Sequence, residues 1–134
     1  MAKDAAEAEK WYRKAAEQGY PQAQFCLGCC YEYGVVVGKD PVEAVKWYRK
    51  AAEQGYALAQ FNLGYCYTLG TGVAKDAVEA VKWYRKAAEK GLPQAQYNLA
   101  VCYDNGEGVA KDAAEAEKWR RKSVEKQQPS AQGH

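Results

Sequence analysis

Three cysteines, Cys26, Cys29 and Cys30, fall at i, i+3 and i+4, so one helix face could offer a set of thiolates. Thiols so arranged could hold a thiophilic metal or take part in redox exchange. Zinc, however, takes four ligands. No second pair of ligating residues stands at a suitable spacing, and the only histidine is His134, at the last position. Metal binding is therefore not expected; Cys30 reads as a core thiol, with Cys26 and Cys29 incidental beside it. With no internal histidine for a triad, no phosphate loop and no metal motif, catalytic chemistry has no machinery here. The expectation is a non-enzymatic protein with no cofactor.

The elements that carry these thiols repeat. Trp11, Trp47, Trp83 and Trp119 are spaced by 36 residues, and KDAVEAVKWYRKAAEKG at 75–91 recurs almost verbatim at 39–55, with looser copies at 3–19 and from 111 onward. A fixed period of this length marks a solenoid. Cys30, Cys66 and Cys102 share one position in the period. Equivalent helices of successive repeats stand at least about 8–10 Å apart, whereas a disulfide needs Cα atoms within about 7 Å. These positions are therefore packing thiols, and free thiols point to a reducing compartment.

Each period encodes two helices. In the second unit, Asp40 is an N-cap, Pro41 suits the first helical position, and Glu43 completes a capping box. Asp4/Glu7, Asp76/Glu79 and Asp112/Glu115 repeat that pattern. Ala44, Trp47, Tyr48, Ala51 and Ala52 then form one apolar stripe at helical spacing, and Gly55 ends the helix. This tryptophan helix is predicted over about 40–54. A second helix, the glycine helix, follows over about 57–69, with Ala59, Leu63, Cys66 and Tyr67 on one face. Gly64, like Gly28 and Ala100, is small enough to admit a close neighbour. The connections GTGVAKD (70–76) and GEGVAKD (106–112) pair glycines suited to positive φ, and their valine is expected to plug the gap between layers. In the first connection Val36 replaces the second glycine. Either that loop takes another path through Gly38 or it is strained, because a β-branched residue at positive φ is an outlier; its three valines also leave an apolar spot at the surface.

The fold class expected is all-α: an α-solenoid of antiparallel helix pairs with a 36-residue repeat and about seven helices. Residues 1–134 form one domain, with an extra N-terminal helix over 4–18, repeats over about 20–55, 56–91 and 92–127, and a frayed tail over 128–134. The last helix should act as a cap, since Arg120 and Ser123 make it more polar than its copies. Near-identical units with open ends also predict end-to-end self-association. A net charge of +2, from 19 basic and 17 acidic residues, lacks the clustered basicity that nucleic acid or an anionic membrane requires. No apolar run approaches the roughly 18 residues of a membrane helix, and MAKDAAEAEK has no apolar signal segment. A cytoplasmic location is expected.

Positions that change between similar copies are where specificity would reside. On the glycine helices these are Gln22/Leu58/Gln94, Cys29/Tyr65/Val101, Glu32/Thr68/Asp104 and Tyr33/Leu69/Asn105, while Phe25/Phe61/Tyr97 stays aromatic. Spacings of three and four place them on one side of each helix, away from the Leu63-type core stripe.

The pattern AQxxLGxxY…GxGVxKDxxEAxxWYRKAAxxG, which covers about residues 3–132, resembles the Sel-one-like repeat (SLR) family, relatives of the tetratricopeptide repeat. The resemblance implies a right-handed superhelix and a scaffold or adaptor that binds a protein or peptide. It also implies that the variable side of the glycine helices lines a concave groove. Phe25, Tyr33, Phe61, Tyr65 and Tyr97 would form its aromatic floor with Leu58, Leu69 and Val101, and Glu32 and Asp104 would add negative charge. The partner expected is an extended or helical segment with apolar anchors. Phe25, Phe61 and Tyr97 have a second reading, packing against the next repeat. Asn62 and Asn98 match an asparagine that contacts peptide backbone in some tetratricopeptide modules, or they make local hydrogen bonds; Cys26 breaks that series and the accompanying lysines are missing. One alternative is a designed or purely structural module without a ligand. Another is a β-lactam-binding or β-lactam-hydrolysing protein, by likeness to a secreted branch with paired cysteines in each repeat, where this chain has one.

Overall fold

Asp40 and Asp76 each accept the backbone N–H of the residue three positions on, Glu43 and Glu79, and so fix where the tryptophan helices begin. Asp112 does the same for Ala114 and Glu115. The reciprocal half of the predicted capping box is absent. Glu43, Glu79 and Glu115 instead pair with Lys46, Lys82 and Lys118 one turn on, where an opposite charge is available at no cost in backbone geometry. The first helix already begins at Ala2, so position 4 falls inside it, and the side chain of the predicted cap Asp4 lies outside the described ones.

A computed structural model describes residues 2–125, with side chains from residue 6. The predicted tail, with His134, lies outside them. Among the described residues are seven helices and no strand: α1 (Ala2–Glu17), α2 (Pro21–Tyr33), α3 (Pro41–Glu53), α4 (Ala57–Leu69), α5 (Ala77–Glu89), α6 (Pro93–Asn105) and α7 (Ala113–Glu125). Odd-numbered helices are the tryptophan helices and even-numbered ones the glycine helices, giving the all-α solenoid that the period predicts.

The closest pairings are α2 with α3, α4 with α5 and α6 with α7, each a glycine helix against the tryptophan helix that follows it. The glycine is the reason. A Cβ at Gly28 would stand 2.7 Å from the Tyr48 ring, and one at Gly64 would stand 2.9 Å from the Tyr84 ring. Tyr48 and Tyr84 thereby become fully buried plugs. Trp47, Trp83 and Trp119 are buried on the preceding repeat, against Leu27, Leu63 and Leu99. Val73 and Val109 pack against these clusters, as the loop pattern predicts.

A third repeated contact is made by Gln24, Gln60 and Gln96. These side chains are buried, and each donates Nε2 to the carbonyl of Ala16, Ala52 or Ala88 at 3.1 Å. Each of these carbonyls, at the end of a tryptophan helix, also accepts the N–H of Gly19, Gly55 or Gly91, so the glutamine fills its second lone pair from the next helix.

The first connection is the strained alternative. Val36 holds φ at +73°, while Gly72 and Gly108 supply +76° and +75° at the same place. Gly38 is not used for this purpose, since it lies outside the positive-φ region. Val35 and Val36 are exposed. At Gly72 and Gly108 a side chain is excluded outright, because a Cβ would stand 2.3 Å from the carbonyl oxygen of Pro41 or Ala77.

Candidate functional site

The side of α4 that does not pack in the core turns Tyr65, Thr68 and Leu69 toward Asn98 and Val101 of α6. Between them lies a cavity of about 450 Å³, floored by Ala80 and Tyr84 of α5 and bounded at one end by Lys75 and Glu107 of the two connecting loops. A second depression of about 600 Å³ runs on from it, lined by Phe61, Tyr65, Gln94, Tyr97 and Asn98, with Val124 of α7. Tyr65 and Asn98 border both, so the two form one continuous furrow. Each volume falls in the range of about 300–1,000 Å³ usual for ligand sites.

The furrow brings together Phe61, Tyr65, Thr68, Leu69, Gln94, Tyr97, Asn98 and Val101 from the predicted set. Gln22, Phe25, Cys29, Glu32, Tyr33, Leu58, Asn62, Asp104 and Asn105 line neither part of it. Packing accounts for several of these. Phe25 sits 5.8 Å from Tyr48 and 5.5 Å from Tyr56, ring centre to ring centre. Phe61 makes the equivalent contact with Tyr84 at 5.8 Å and stacks on Tyr65 at 6.2 Å. Both are half-buried aromatic contacts between repeats. Tyr97 is exposed instead, because its repeat has Arg120 where the others have tyrosine.

The predicted negative charges are both engaged. Asp104 Oδ2 accepts from Arg120 Nη1 at 2.6 Å, and Glu32 accepts the Tyr48 hydroxyl proton. Tyr84 makes the matching contact with Thr68, oxygen to oxygen at 2.8 Å. Asn62 and Asn98 lie against the Tyr48 and Tyr84 hydroxyls. Burial raises both tyrosine pKa values, and for Tyr48 the Glu32 carboxylate adds to the rise, so these phenols stay neutral and act as fixed hydrogen-bonding groups. Lys75, Tyr84 and Glu107 are site residues that the sequence comparison did not single out. Tyr84 belongs to the scaffold stripe of its tryptophan helix; Glu107 was legible as the residue that differs from Thr71 between two otherwise similar loops.

All five cysteines are free. Burial pushes Cys66 and Cys102 up to about 12 and about 11, and raises Cys26, Cys29 and Cys30. A raised thiol pKa means little thiolate near neutrality and low nucleophilicity. Among the described residues no three His, Cys, Asp or Glu side chains converge to hold a metal, and no helix is long and apolar enough to cross a membrane.

The Sel1 repeat family model matches residues 1–20, 21–56, 57–92 and 93–127, one match for each period. Among solved structures, the chain is similar to c5321, a protective antigen of uropathogenic Escherichia coli with an SLR fold, at 47% identity and a TM-score of 0.86. It is similar to a Sel1 repeat protein of Oxalobacter formigenes at 48% identity and a TM-score of 0.86. The matches cover 92% and 91% of this chain, but only 27% and 50% of those two. Cysteine rich protein B of Helicobacter pylori shares the fold at 24% identity and a TM-score of 0.74, over 99% of this chain and 96% of that one. No curated protein sequence matches.

Proposed function

The chain belongs to the Sel1 repeat family, whose members are generally non-enzymatic scaffolds commonly used in protein–protein interaction, and from that membership we propose that it is an adaptor binding a peptide or helix in the furrow between α4 and α6. One observation carries this reading. Tyr65, Leu69 and Tyr97 are exposed side by side around a continuous furrow, whereas the aromatic plugs Tyr48 and Tyr84 of the same scaffold are buried. Large apolar side chains rimmed by a few polar groups are typical of interface hot spots. The Thr68–Tyr84 pair and Asn98 offer hydrogen bonds from the floor, and a bound peptide backbone would meet Asn98. Five free thiols fit a reducing compartment, so we place the protein in the cytoplasm.

The test separates binding from folding. Phe61 packs on Tyr84, so its truncation would disturb the scaffold; Tyr65 and Tyr97 are exposed and do not carry that complication. Peptides selected from a displayed library against the full chain should lose at least tenfold in affinity for the Tyr65→Ala/Tyr97→Ala variant, while the melting midpoint stays within a few degrees. Selected peptides that bind the variant as tightly as the parent would sink the reading.

A further inference from the structure

Gln24 and Gln60 donate through Nε2 to the preceding tryptophan helix in the same way, but their Oε1 atoms differ. Gln24 Oε1 accepts from Gln54 Nε2 at 2.8 Å, so that side chain is satisfied at both ends. Lys90 stands one period after Gln54. Its Nζ turns over Gly55, 3.3 Å from where a Cβ there would stand, and Gln60 Oε1 has no partner among the described residues. Trp83 Nε1 has none either. Gln60 and Trp83 are 3% and 5% exposed, and both line a cavity of about 770 Å³ between the C-terminal end of α3 and α5. Lys82, Lys86 and Lys90 border this cavity together with Glu53 and Glu89. Trp47 Nε1 is also unpartnered, but there the glutamine is closed by Gln54. Gln96 Oε1 and Trp119 Nε1 repeat the open pair, and the position matching Lys90 in that copy, 126, lies outside the described residues.

We propose that this cavity between α3 and α5 binds an extended peptide segment through one of its backbone amides. A buried acceptor and a buried donor in one cavity call for a group that donates and accepts at neighbouring atoms. A peptide group does so, giving its N–H to Gln60 Oε1 and its C=O to Trp83 Nε1–H. Leaving both protein atoms unpaired is costly, and the bound amide removes that cost. What covers them is side chain rather than backbone: Lys82 Nζ and Lys86 Nζ lie 5.3 and 5.9 Å from the Trp83 ring centre, and both lysines are exposed and flexible enough to swing aside. The rim carries charges of both signs, which suits a segment with one acidic and one basic side chain. Lys90 is the residue that keeps the site open, since a glutamine there would seal Gln60 as Gln54 seals Gln24. The cavity shares no lining residue with the furrow between α4 and α6, so the proposal is independent of the adaptor reading.

The indole N–H signals of the full chain, followed by nuclear magnetic resonance, test it. The probe is a tripeptide of glutamate, alanine and lysine, acetylated and amidated at its ends. On titration the Trp83 signal should move and saturate, while the Trp47 signal, in the copy closed by Gln54, should stay in place. Lys90→Gln, at an exposed position, should weaken the Trp83 response at least tenfold without lowering the melting midpoint. Tyr65→Ala/Tyr97→Ala alters only the furrow and should leave the response unchanged. A Trp83 signal that never moves would overturn the proposal and leave water as the partner of both buried atoms. Equal movement of Trp47 and Trp83, a full response in Lys90→Gln, or a response lost with the furrow variant would each overturn it as well, the last by placing the peptide in the furrow.

Discussion

Arg120 Nη1 lies 2.6 Å from Asp104 Oδ2, in the place where the two preceding repeats set a tyrosine ring against a glycine. Tyr48 covers Gly28 and meets Glu32; Tyr84 covers Gly64 and meets Thr68. In the third repeat the ring is gone, the glycine beneath it has become Ala100, and the polar partner is Asp104, which meets an arginine instead of a phenol. Three changes that look independent along the chain are one substitution in space.

The coupling is measurable. Arg120→Tyr alone should lower the melting midpoint, because the incoming ring meets the Ala100 Cβ. Adding Ala100→Gly should recover most of that loss, although glycine by itself weakens a helix. A double-mutant cycle that comes out additive would contradict the shared-space account.

Gly64→Ala should destabilise by about 1–3 kcal/mol, the usual cost of overpacking. Its Cβ would face the Tyr84 ring at 2.9 Å and the Ala80 carbonyl oxygen at 3.1 Å, and the second of these is backbone that cannot step aside. Denaturant titration gives the value directly.

Trp83→Ala should cost about 3–5 kcal/mol, as for other buried tryptophan truncations. Trp11→Ala, measured at high dilution, should stay within about 0.5 kcal/mol of the parent, the usual range for exposed positions. Equal effects at the two sites would contradict the burial difference between them.

Val36→Gly should stabilise by about 1 kcal/mol. A left-handed backbone costs a side-chain-bearing residue about 1–2 kcal/mol, and the freedom that glycine gains in the unfolded chain offsets part of the relief. A lowered melting midpoint would show that Val36 is held by packing that outweighs the strain.

Alkaline pH should expose the buried thiol. The Cys66 pKa rises from 9.0 to about 12, first through burial and then through the charge of Glu32. Above pH 9.0 the unfolded thiol loses its proton while the folded one keeps it. The unfolded state then binds fewer protons, so stability falls as pH rises, from about 9 until the folded thiol also ionises near 12. Cys66→Ala should flatten this part of the stability profile relative to the parent.

Much of the fold was legible because its determinants are local. Asp caps, the apolar stripe of Ala44, Trp47, Tyr48, Ala51 and Ala52, and glycine stops each act within a turn or two of chain, and they place α3 at Pro41–Glu53 and α4 at Ala57–Leu69. The roles of Gln24, Gln60 and Gln96 were not read from the invariant Ala-Gln pair, because a polar residue stands out from no apolar stripe and its acceptor lies on another helix. The site was legible only in part. Comparison of repeats picked out Tyr65, Leu69 and Val101, but it treated the copies as equivalent. It therefore gave Glu32 and Asp104 as negative charge lining the groove, when each has a partner on the following tryptophan helix.

The sequence by itself determined the period, the helix order and the stripe each helix buries, since a motif repeated at a fixed spacing builds one interface over and over. The tertiary structure decided what each copy does with that interface. Phe61 became packing and Tyr97 surface, Asp104 was neutralised, and Trp11 and Val124 were left uncovered. The physical reason is that these outcomes depend on whichever helix stacks against a position, and neighbours differ at the ends of a stack even where the motif does not.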